Sequence, residues 1–94
     1  MIAAQLPATD KLTVGRRLRL VREALDLSRR EVCDQFGYGM TAWDNYENGV
    51  RAFDHETAIR FVEGTGTTFD WLYRGRLEML PSHLADKIRA SERV

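Results

Sequence analysis

The chain is poor in the residues that covalent stapling, metal binding or catalysis would require. It holds one cysteine, Cys33, so no internal disulfide can form. Its two histidines, His55 and His83, are isolated, and the one local cluster, Asp54-His55-Glu56, reads more simply as a helix start than as a ligand set. No metal and no cofactor are expected. No Ser, Cys or Lys is paired with a base in a nucleophile pattern, so an enzyme has no residues to stand on. No apolar run approaches the roughly 18–20 residues needed to span a bilayer. The opening MIAAQLPA has neither a basic start nor a long apolar stretch, so the expectation is a soluble, cytoplasmic protein. Charge of either sign in excess is also missing, since 14 Lys and Arg balance 14 Asp and Glu. That balance argues at first sight against a nucleic-acid binder, because phosphate neutralisation supplies most non-specific affinity.

The distribution of the charge partly answers this. Residues 11–30 carry seven Lys or Arg against Glu23 and Asp26, whereas residues 31–75 carry eight acids against Arg51, Arg60 and Arg74. The early arginines, Arg16, Arg17, Arg19, Arg22, Arg29 and Arg30, fall on the first two helices read below. A solvated arginine face is the commoner meaning of such a cluster, and the motif must decide between the two.

What is present is helical periodicity and its punctuation. At 94 residues the chain makes one small domain. Residues 1–11 lack periodicity and read as a flexible arm. Val14, Leu18, Val21 and Leu25 then form the stripe of a first core helix. Ser28 with Glu31 is a capping box that starts a second helix, with Val32, Cys33 and Phe36 turned inward and Gly37 ending it in a left-handed conformation. After Tyr38 and Gly39 a third short helix sets Trp43 and Tyr46 on one face and leaves Met40, Thr41, Asp44 and Asn45 on the other. Asp54 caps a fourth helix bearing Ala58, Ile59, Phe61 and Val62, with Gly64 and Gly66 ending it. Thr67 or Thr68 caps a fifth with Phe69, Trp71 and Leu72, stopped by Gly75. Beyond the domain at residues 12–75, a tail at 76–94 holds a sixth helix over 81–90, with Leu84, Ala85 and Ile88 on one face. That face is a candidate for self-association, packing back on the same chain being the alternative.

Two short helices joined by a glycine-bracketed turn between Ser28 and Gly49 have the layout of a helix-turn-helix. R17-L-R-L-V-R22, L27-S28-x-x-E31, Y46-E47-N48-G49 and F69-D-W71-L72-Y-R-G75 extend the likeness, and from about Val14 to Gly75 the chain resembles the Cro/C1-type, lambda-repressor-like helix-turn-helix family. The resemblance implies an all-α, compact five-helix bundle, with the tail helix as an addition. It also implies a transcriptional regulator of repressor type that binds duplex DNA through its third helix, as a homodimer on a two-fold site. Met40, Thr41, Asp44 and Asn45 would face base edges; Asn45 pairs with adenine, Thr41 and Met40 meet a thymine methyl, and Asp44 can only accept from cytosine or be repelled by phosphate. The helix offers no Arg or Lys for guanine, so readout leans toward A·T pairs. Arg29, Arg30, Tyr38, Asn48 and Arg51 are the phosphate candidates, aided by the positive ends of the second and third helices. Arg22 and Glu47 stand where the family carries a partly buried ion pair. Three departures matter: Arg29 replaces a frequent Gln, the small residue of the second helix is Cys33, and Phe53 replaces a usual Pro.

For each of these residues a plainer reading stands beside the functional one. Cys33 is a small hydrophobe before it is a redox thiol. Trp43 fills the junction of helices two, three and five before it stacks on a base. The whole exposed face of the third helix is ordinary surface unless DNA meets it. The rival function is an interaction module, a helix-turn-helix whose acidic middle and Asp44 face dock on a protein such as a toxin or polymerase subunit with weak or no DNA binding.

Overall fold

The computed structural model describes residues 10–92. The expected arm therefore lies outside the described residues except for its last two, and these are not loose: Asp10 caps the first helix by accepting from the Thr13 amide, and Lys11 opens it. Among the described residues there are six α-helices and no strand: α1 Lys11–Ala24, α2 Arg29–Phe36, α3 Met40–Glu47, α4 His55–Thr65, α5 Phe69–Arg74 and α6 Ser82–Glu92, with a 3-10 turn at Leu77–Met79 before the last. The helices expected from periodicity are present, and the all-α bundle that the resemblance implies is the fold observed.

The punctuation acts largely as its chemistry dictates. Ser28 and Glu31 close a full capping box on α2, Asp54 accepts from the Thr57 amide at the start of α4, and Thr68 accepts from the Trp71 amide at the start of α5. Gly37, with φ of 81°, takes the left-handed conformation that ends α2 and turns the chain toward α3. Gly64 differs from expectation. Helix α4 runs through it to Thr65 before Gly66 caps it, and Gly64 is small because a Cβ there would strike the Phe36 ring of α2.

The helix α1 lies at the centre and packs against α3, α5 and α6. It buries Val14, Leu18 and Val21, whereas Leu25, the last of the expected stripe, forms the half-buried C-cap. Gly15 lets α3 come close: a Cβ on it would lie less than 3.0 Å from backbone atoms of Tyr46 and Glu47. Helix α6 lays Leu84, Ala85 and Ile88 into the same core and packs on α1. This corrects the self-association reading of the tail, since Leu84 and Ile88 are fully buried within their own chain and offer nothing to a second copy.

Candidate nucleic-acid interface

The base of the interface is an aromatic cluster. Trp43 is fully buried, and its ring neighbours are Tyr38 from the turn, Tyr46 on α3, Phe53 from the following loop and Phe61 on α4. Its stacking on a DNA base is therefore ruled out by burial, and its aromatic partners come from the turn, α3, the following loop and α4, none of them from α5. Phe53, the departure from a usual Pro, fills the middle of this cluster. Such edge-on and tilted pairs add to area burial, so α3 is anchored by its inner face from Trp43 to Glu47.

The second anchor is electrostatic. The Glu47 side chain has no exposure and accepts from Arg22 Nε at 2.6 Å, Arg22 Nη2 at 3.1 Å, Arg29 Nε at 3.2 Å and Trp43 Nε1. Arg22 also donates to the Leu27 carbonyl at 2.8 Å. A buried carboxylate persists only when its lone pairs are met by donors, and here three helices supply them. Arg22 and Glu47, paired by resemblance, are thus brought together, but as two members of a larger network that sequence spacing did not reveal.

The outward face of α3 carries Met40 and Thr41, both exposed, with Asp44 and Asn45 half-buried. The Asn45 carbonyl accepts from the Val50 and Arg51 amides, which folds the chain sharply after the helix. Gly39 gives α3 no side-chain cap, so its first-turn amides and partial positive charge remain available to an outside acceptor. The start of α2 is instead partly occupied by its own Glu31 carboxylate.

The phosphate candidates separate into three groups. Arg30, Asn48 and Arg51 are exposed, with the Arg51 guanidinium 5.6 Å from the Tyr46 ring centroid. Tyr38 must be withdrawn: it is buried, its hydroxyl donates to the Thr57 carbonyl at 2.6 Å, the Arg60 guanidinium covers its ring, and burial pushes its pKa up. Arg29 is committed internally, donating from Nη1 to Asp44 Oδ1 at 2.9 Å as well as to Glu47. The early positive cluster is in fact largely engaged. Arg17 donates to the Leu72 carbonyl beside Trp71, and Arg19 pairs with Glu23. The Arg29 and Asp44 pairing is not marked in the sequence, because it depends on how α2 and α3 cross.

A family model described as a helix-turn-helix domain matches residues 13–72. The chain belongs to the helix-turn-helix family. Neither the curated proteins nor the solved structures give a match. The matched stretch runs from the first turn of α1 into α5, so the domain contains the whole aromatic and ionic support of α3 and excludes α6. Membership suggests a DNA-binding regulator, a family role that is typically not enzymatic. Among the described residues no group of three or more His, Cys, Asp or Glu is placed to hold a metal, and no helix is long and apolar enough to cross a membrane. Cys33 is buried and burial raises its pKa, which suits a small hydrophobe on the helix-turn-helix core rather than a reactive thiol.

Proposed function

We propose that this helix-turn-helix protein is a sequence-specific regulator of transcription, repressor-like, that reads the major groove of duplex DNA with α3. The observation that carries this reading is the contrast between the two faces of α3: Trp43, Tyr46 and Glu47 hold one side rigidly, and Met40, Thr41, Asp44 and Asn45 stand on the other with only Asp44 tied into the ionic network. Base edges meet Met40, Thr41 and Asn45, while Arg30, Asn48, Arg51 and the uncapped start of α3 meet phosphates. A cytoplasmic homodimer on a two-fold site completes the proposal, because two half-sites are the usual route from a small module to useful affinity.

Selection of bound sequences from a random duplex library tests binding, base preference and half-site spacing together. The expected outcome is an enriched, A·T-leaning, two-fold motif. Asn45→Ala should cost about 1–3 kcal/mol at one base position in each half-site and leave the salt dependence unchanged, whereas Arg30→Ala should weaken specific and random duplexes alike. Equal losses on both duplexes for Asn45→Ala would show that α3 does not read bases.

The second reading, a module that docks on a protein, is favoured by one observation, the internal pairing of Arg17, Arg19, Arg22 and Arg29. Titration with mixed duplex at low salt separates the two, since a docking module would show no duplex affinity.

A further inference from the structure

We propose that Asp44 is an internal competitor for Arg29, and that it sets how tightly this surface holds a DNA backbone of any sequence. The inference rests on the DNA-binding reading above and adds to it a residue that acts on affinity without touching a base.

The geometry divides the Arg29 guanidinium between two unlike carboxylates. Glu47 takes Nε and is wholly buried, so nothing from solvent can displace it. Asp44 takes Nη1 at 2.9 Å where the two side chains remain 32% and 42% exposed, at the solvent edge of the α2 and α3 junction. A phosphate and a carboxylate are the same kind of acceptor for this fork, so a DNA backbone arriving here competes with Asp44 for the same N–H groups.

The competition has a definite sign. Arg22, Arg29, Asp44 and Glu47 together carry no net charge, so the network offers nothing to a polyanion while it is closed. When a phosphate takes Nη1, one charge-assisted hydrogen bond replaces another, but the released Asp44 carboxylate is left facing DNA. The exchange therefore gains less than a free arginine would. Because this cost falls on every sequence, random DNA is held weakly and only sites at which α3 also makes base contacts are filled at modest protein concentration. A neutral residue at 44 would leave Arg29 anchored by Glu47 and its outer edge unopposed.

Anisotropy titrations of the full chain on a random-sequence duplex, over a series of salt concentrations, test this with wild type, Asp44→Asn, Arg29→Gln and the double variant. Asp44→Asn should bind about 5–10-fold more tightly and steepen the dependence of log affinity on log salt by about one unit per domain. Both gains should vanish in the Arg29→Gln background. A gain that persists there would mean that Asp44 acts as a general repulsive charge, and the latch would be wrong. Thermal melts check that the variants fold. The side-chain Nε–H signal of Arg29 in nitrogen-15 NMR gives a readout that needs no Arg29 variant: it should shift on adding duplex, and a signal unmoved at saturation in both wild type and Asp44→Asn overturns the proposal. If wild type binds and Asp44→Asn binds equally or more weakly, the latch fails and the DNA-binding reading stands. If wild type is silent and Asp44→Asn binds, the latch is supported when the double variant is silent too and overturned when the double variant binds as Asp44→Asn does. If neither binds any duplex, the DNA-binding reading falls and takes the latch with it.

Discussion

Glu47 receives donors from α1, α2 and α3 at once, and its removal strands more than one of them. Glu47→Ala leaves the Arg22 charge, 11% exposed, without its buried counter-ion and with only the Leu27 carbonyl as a close acceptor, and leaves the buried Trp43 N–H without its acceptor. Breaking a buried pair in this way costs about 3–5 kcal/mol, a large share of the roughly 5–15 kcal/mol that holds a small domain together. The variant should melt more than about 12 °C below wild type, as read by circular dichroism, and a shift of only a degree or two would show that the network is not structural. Gly15 gives a second test at this scale, with the sign opposite to helix propensity. On an exposed helix Gly→Ala gains about 1 kcal/mol. Here the added methyl meets the Tyr46 and Glu47 backbone, so Gly15→Ala should lose about 1–3 kcal/mol through overpacking, measured as a fall in the urea midpoint.

Between helices, the consequences depend on which partner each face has found. Removing α6 by truncation after Arg76 strips Leu80, Leu84, Ala85 and Ile88 from the core and should cost about 3 kcal/mol or more with no change of oligomeric state in sedimentation. A change of state on truncation would reinstate the tail as an interface. The existence of α6 was legible because Leu84, Ala85 and Ile88 fall at helical spacing after Pro81; its partner was not, because an apolar stripe is the same whether it meets its own chain or another. The caps at Ser28, Asp54 and Thr68 were legible for a local reason, a side-chain oxygen three residues from the amide it accepts from. Gly64 was misread as a terminator because the signal that explains it, the Phe36 ring of another helix, is not local. Tyr38 was misassigned for the same reason: a tyrosine beside a turn glycine looks exposed until the Thr57 carbonyl and Phe53 are seen around it. Met40 and Thr41 were placed correctly on the outside because α3 is amphipathic, while the ties on Arg29 depend on how α2 and α3 cross.

Taken as a whole, the molecule should lose stability in alkali. Burial raises the Tyr73 pKa from 10.0 to about 12, and its hydroxyl donates to the Phe53 carbonyl, a bond that a phenolate cannot make. Tyr38 is shifted the same way by burial. A pKa raised on folding stabilises the protein fully below the unfolded value and loses that contribution as pH climbs toward the folded one. The melting temperature should thus hold steady up to about pH 9 and fall between pH 10 and 12, and Tyr73→Phe, though weaker at neutral pH, should fall less steeply across that window; parallel curves would contradict the assignment. The split personality of α3 has a further consequence for redesign. Because the buried inner face and the Asp44 tie secure it, the outer positions 40, 41 and 45 form an exchangeable cassette in which new side chains can be written with the frame left in place. Position 44 is outside that freedom: any residue written there also retunes Arg29, so a library that varies all four sites together would confound a change of preferred sequence with a change of grip.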